Sequence, residues 1–187
     1  YAGAYRTPTV TLTEADARGP IKVRTRLSRQ EIFNGIKGTF ISAANNWQNA
    51  DFPPYVGGFL TEDGNERVWK DVHYPFTISQ ATVQRLSKID LLRARRQITV
   101  DFQAKLSAYI IQPPDVIQLT LAQFNWTAKT FEVVAAQLAA EEDDEGVPFL
   151  GVNLRLRETD SAVYAWTAAS DETTAATPGT TTLPRTD

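Results

Sequence analysis

Few side chains in this 187-residue sequence could carry chemistry, and their types narrow the choice. There are no cysteines, which removes thiolate catalysis, disulfides and cysteine-based zinc sites together. The lone histidine, His73, removes any zinc site built on several imidazoles. It sits beside Trp69 and Tyr74 in a strand-like stretch with no Ser or Cys motif at hand, which suits a structural histidine better than a general base. Asp101 and Glu132 could in principle share acid–base hydrolysis, but both fall on the polar sides of alternating strands, where carboxylates are expected anyway. The run Glu141-Glu142-Asp143-Asp144-Glu145 lacks the alternating Asp/Asn ligands and distal Glu of an EF-hand loop. Adjacent carboxylates repel one another, so the run reads as a solvated turn. Nucleophile-elbow, phosphate-loop, zincin and dinucleotide-binding signatures do not occur. Asn125-Trp126-Thr127 fits a glycosylation sequon, but no secretory signal accompanies it. The sequence therefore points to no catalytic residue, no metal and no cofactor, and to a protein that is not an enzyme.

What remains is contact chemistry. Arg24 and Arg26, with Arg18 and Arg29 nearby, put a basic stripe on a strand reading Ile21 to Leu27. Arg85, Lys88, Arg95 and Arg96 do the same on a helix. Each stripe is either a solvated face, which on a strand also discourages edge-to-edge pairing, or a contact with a neighbouring subunit. Asp90 and Arg93 intrude on the helix's apolar sector. They either pair with each other along the helix or meet a polar partner, within the domain or across a subunit boundary. Trp47, Phe52 and Tyr55 lie in Asn45 to Tyr55, a stretch too rich in amides and proline for regular structure and expected to form a packed aromatic arm. The competing reading makes Trp47, Phe52, Tyr55 and Trp126 an exposed platform for a glycan or protein.

These residues hang on a helix that runs into a strand. Thr77 and Gln80 have the spacing of a reciprocal cap, and Val83, Leu86, Ile89, Leu91 and Ala94 share one sector at 100° per residue, giving a helix over 79–97. From Ile98 the period changes to 2, and alternation through Ile110 predicts the longest strand. Further alternating segments follow. Glu31 to Ser42 is strand-like, its Asn34-Gly35 either a hairpin turn or a glycine kink. Arg67 to Val72, Val116 to Ala122, Lys129 to Leu138 and Phe149 to Arg157 complete the set. The last four alternating segments, from Ile98 onward, predict an antiparallel meander. The fold class is mainly β with one long helix (α+β), an antiparallel barrel or sandwich with the helix packed on its side.

The length suits one domain with appendages: a connector over 1–20, the domain over 21–166 and a Thr-rich linker over 167–187. A net charge of −3 argues against a nucleic-acid binder, and no apolar run is long enough to span a bilayer. The chain starts at Tyr1 and contains no methionine, as expected of a segment of a longer protein.

One resemblance goes further. The stretch from Arg24 through NNWQ and DFPPY to Tyr55, then DGNERVWKDVHYPFTISQATVQRLSKIDLLRARRQITVDFQAKL, and later DVIQLT, NWTAKTFEV and LRETDSAVYAW, resembles the tip attachment protein J family of long-tailed phages. The likeness covers about Pro8 to Trp166. It implies a barrel-like hub domain flanked by a helix, related to parts of gene transfer agents and contractile-tail hubs. It also implies a homotrimer in the parent protein at the distal end of the virion tail. There it would close the tube, contact other tail proteins and serve the host receptor indirectly. It carries over no catalytic residue, and it makes the Arg24/Arg26 and Arg85–Arg96 faces candidate subunit interfaces.

Overall fold

The computed structural model describes residues 5–25, 32–142 and 148–173. Arg26, Leu27, Arg29 and the acidic residues from Asp143 to Glu145 lie outside them. The described residues form ten strands and three α-helices: β1 (Thr11–Thr13), β2 (Lys22–Arg24), β3 (Gly35–Ser42), β4 (Gln48–Asp51), β5 (Tyr55–Val56), β6 (Trp69–Tyr74), α1 (Gln80–Arg95), β7 (Thr99–Lys105), β8 (Val116–Leu121), β9 (Trp126–Glu142), β10 (Pro148–Glu158), α2 (Ser161–Tyr164) and α3 (Ala168–Asp171).

They build two sheets rather than one closed barrel. The larger has the order β1-β8-β9-β10-β7-β2 and stays open, with β1 and β2 as its edges. Its pairings are antiparallel except β1 with β8. Since β7 returns beside β10 instead of β8, the last four strands make a Greek key and not the expected meander. Alternation fixes which residues face inward but says nothing about which strand lies alongside. The inward residues agree: Val100, Phe102, Ile117, Leu119, Leu121, Phe131, Val133, Val152, Leu154 and Leu156 are buried in one core. Leu12 joins them, so the expected connector supplies an edge strand.

Three departures have local causes. First, β7 ends at Lys105, and Leu106–Ile110 tightens into a 3-10 turn. Its three-residue period buries Ala108 and Ile111 and leaves Leu106 and Ile110 exposed, against the parity of a continuing strand. Second, β9 is the longest strand, and a bulge at Val134 opposes one extra residue to β10. Parity flips there, so Ala136, not Ala135, packs on the core. Third, β9 and β10 pair on to Glu142 and Pro148, past the ends of β7 and β8. Leu150, which alternation places on the same face as the buried Val152 and Leu154, therefore lies exposed beside an exposed Leu138.

The smaller sheet centres on β3. Strand β6 runs parallel along one side, while β4 and β5 share the other. Phe52-Pro53-Pro54 interrupts them, because proline offers no N–H to the ladder. Asn45 to Tyr55 thus contains regular strand despite its composition. Asn34-Gly35 forms no hairpin turn: Gly35 opens β3, with Asn34 buried just before it. Helix α1 packs on this sheet rather than on the larger one, Val83 and Leu91 meeting Ile36, Phe40 and Phe52. Its cap is Ser79, whose Oγ accepts from the Thr82 N–H at 3.4 Å, not the Thr77–Gln80 pair. Leu86 and Ala94 are half-buried, and Gln84 and Ser87 are buried with the apolar residues. No helix among the described residues is long and apolar enough to cross a membrane.

Candidate interaction surface

Helix α1 is where most of the polar residues singled out from sequence converge, and its basic side chains divide into committed and free. Arg95, only 11% exposed, forks onto both carboxylate oxygens of Asp63, and its guanidinium stacks 4.4 Å from the Phe59 ring centre. Asp63 also accepts from the Asn34 amide at 2.7 Å, and that same amide donates to the Glu66 carbonyl. Asn34 Oδ1 accepts the Val68 N–H at 2.9 Å, so one buried carboxamide ties the start of β3 to the Asp63–Val68 stretch. Arg93 donates to Glu132 at 2.7 Å, with Arg157 on the same carboxylate oxygen at 3.3 Å. Arg96 reaches Asp160 at 3.1 Å and Glu158 at 3.8 Å, and Lys129 also pairs with Glu158. This belt of ion pairs joins the C-terminal end of α1 to β9, β10 and the cap of α2. The Asp90–Arg93 intrusion is therefore explained by polar partners inside the chain: Asp90 pairs with Lys70 of β6 at 2.7 Å, and Arg93 pairs with β9.

The N-terminal half of α1 holds the chain beyond α2. Gln84 is 2% exposed and makes a two-way amide pair with Thr173, donating to its carbonyl at 2.5 Å and accepting its N–H at 2.9 Å. Gln80 donates to the same carbonyl. Lys88 pairs with Asp171 at 2.8 Å, and Asp171 accepts the Thr167 N–H that starts α3. Residues 167–173, expected to be linker, are thus docked on the helix. Hydrogen bonding to Lys88, and then to Thr167, pulls Asp171 below its ordinary 3.8. Burial foremost, then the Asp171 charge, raises the Tyr55 phenol. Because the folded Asp171 value is depressed, its stabilisation is complete above 3.8 and fades as pH falls through the lower folded value. Protection of the Thr167 and Thr173 amides, measured against the intrinsic exchange rate at each pH, should therefore fall below about pH 3.8 while that of the β10 amides holds. An equal fall in both would contradict a local clasp.

The remaining candidates scatter. Arg24 and Arg85 are exposed and have no ion pair among the described residues. Phe52 is buried against Tyr74 at 5.9 Å between ring centres. Tyr55 is half-buried, and Trp47 stands 64% exposed. Trp126 packs on Phe131 at the edge of the large core, so the four aromatics form no single platform. His73 is exposed, its Nδ1 2.8 Å from the Thr39 hydroxyl. Asp101 is engaged by Arg155 and Glu132 by two arginines. Among the described residues no group of three or more His, Asp or Glu could hold a metal ion. Gln84, the exposed Phe76 and the bonding role of Asn34 escaped the reading from sequence. Gln84 falls one position from Val83 inside the apolar sector of α1, and that placement was the available signal.

A helix-backed small sheet is belted by ion pairs to an open Greek-key sheet. Residues 4–136 match the family described as "Putative phage tail protein", and the chain belongs to that family. No curated protein matches the sequence. The fold is similar to a chain in the virion of a native gene transfer agent particle, with a TM-score of 0.64 and 16% identity over 85% of this chain. It is also similar to the 43 kDa tail protein of prophage MuSo2 from Shewanella oneidensis, with a TM-score of 0.51 and 9% identity over 87% of this chain. The matches cover 33% and 47% of those two proteins, so the chain spans about a third and about half of their lengths.

Proposed function

We propose that this chain is a structural module of a phage tail tip, of the kind found in the tip attachment protein J family, acting without catalysis as one subunit of a trimeric hub. The family match over residues 4–136 carries the tail assignment. The polar chemistry supports a scaffold: Asp101 and Glu132 are engaged by arginines, while the exposed Arg24 and Arg85, without an ion pair among the described residues, can meet a neighbour. In this reading the module helps close the distal end of the tail tube, touches other tail proteins and joins the tube to receptor-binding parts. Its place is the virion, at the distal end of the tail.

Deleting the coding segment from a phage or transfer-agent genome tests the role. Negative-stain microscopy should then show heads without finished tails, restored by supplying the intact gene. Normal, infectious tails assembled without the segment would contradict it.

A further inference from the structure

The outer face of the large sheet carries a hollow built from polar side chains that take no part in the ion-pair belt. Two rows lie in register across it. Gln103 of β7, Asn153 of β10 and Gln137 of β9 form one, and Lys22 of β2, Asp101, Arg155 and Ala135 form the next. With Pro20 they line an open cavity of about 370 Å³, a volume within the usual range of small-molecule sites. The bulge at Val134 completes this face. Parity flips there, turning Ala135 and Gln137 outward on a strand whose Phe131 and Val133 face the core. Bulges recur beside functional sites, where they re-aim a side chain.

Much of the hydrogen-bonding capacity of the hollow is unspent among the described residues. The side chains of Lys22, Gln103 and Gln137 make no hydrogen bond there, and Arg155 gives Asp101 only its Nε–H, at 3.1 Å, with both terminal nitrogens unused. Two cations against one carboxylate make the hollow positive in a chain whose net charge is −3. A guanidinium and an ammonium together suit a carboxylate. Each carboxamide offers both a donor and an acceptor, the pair that neighbouring sugar hydroxyls complement. Pro20 and Ala135 add apolar surface suited to ring C–H groups, which an inorganic anion lacks. The one aromatic of the lining, Phe102, is buried in the core, so no ring is presented for a nucleic-acid base to stack on.

We propose that this hollow binds an acidic sugar, a uronic-acid residue of an anionic polysaccharide. Its carboxylate would meet Arg155 and Lys22, and its hydroxyls the Gln103–Asn153–Gln137 row. Strands about 4.8 Å apart give that row a span of about 10 Å, the reach of a disaccharide. The site rests on its own lining, so its failure would leave the tail-tip assignment standing.

NMR titration of the ¹⁵N-labelled 187-residue chain with trigalacturonate tests it. The side-chain amide signals of Gln103, Asn153 and Gln137 should shift together and saturate with a Kd of about 1 mM. Lys22→Ala should weaken binding about tenfold, the usual loss for a charge-assisted bond, and Gln137→Ala about fivefold. Both side chains are exposed, so thermal unfolding should be unchanged. Maltotriose, which lacks the carboxylates, and triglutamate and sulfate, which lack the hydroxyls, should each bind at least about tenfold more weakly. No saturable shift up to about 50 mM trigalacturonate, or variants that bind like wild type, would overturn the proposal. So would equal binding of maltotriose, of triglutamate or of sulfate, which would make the hollow a neutral-sugar, an acidic-peptide or a plain anion site.

Discussion

Replacing Asp63 with alanine should lower the unfolding free energy by about 3–5 kcal/mol, the cost of leaving a largely buried charge without its partner. Arg95 and Asp63 are 11% and 18% exposed, and the guanidinium fork spends two donors on this one carboxylate. Removing it leaves the guanidinium charged, shielded from water and resting on Phe59. It also strips the Asn34 amide of one of its acceptors. Arg95→Lys should fall short of wild type as well, because an ammonium cannot make the planar two-pronged contact. The double variant Asp63→Ala/Arg95→Leu should recover part of the loss, since it removes the stranded charge. Urea titrations of the four proteins decide the point. A single-variant loss below about 1 kcal/mol would show that the pair behaves like an ordinary surface bridge.

The second large effect should come from Gly38→Ala. Gly38 adopts φ +151°, and an added Cβ would lie 1.8 Å from the Val72 carbonyl oxygen in the paired strand. Backbone strain of about 1–3 kcal/mol adds to a similar crowding cost of about 1–3 kcal/mol, and both fall on the β3–β6 ladder. Loss of that ladder frees β6 just before α1, so exchange should rise first across residues 69–74. Gly58→Ala is the control: its Cβ would meet nothing, and its stability should stay within about 0.5 kcal/mol of wild type. A tolerated Gly38→Ala would mean that β6 does not lie where the register places it.

What could be read from the sequence was mainly orientation. The in/out pattern of β8 and of the central part of β10 follows from alternation, and α1 from its 3.6-residue period. Pairing was not legible, because Val100 and Leu119 present the same alternation whichever strand lies alongside. Nor was the second sheet: β4 is Gln-Asn-Ala-Asp, a poor strand sequence held by its ladder to β3 and not by propensity. The bulge at Val134 and the 3-10 turn at Leu106 carry no residue signature, yet each reverses the inward parity beyond it. For the candidate surface, the sequence identified basic residues but not their partners. Arg95, Arg96 and Lys88 find Asp63, Asp160 and Asp171, which are distant in sequence. Arg24 and Arg85 look no different on paper and have no ion pair among the described residues.

The tail-tip position is the claim most open to direct observation. Particles carrying the protein should be treated with a gold-labelled antibody raised against this chain and viewed by electron microscopy. Gold confined to the distal end of the tail is the result the hub assignment predicts. Gold spaced along the tail shaft, or on heads alone, would contradict it.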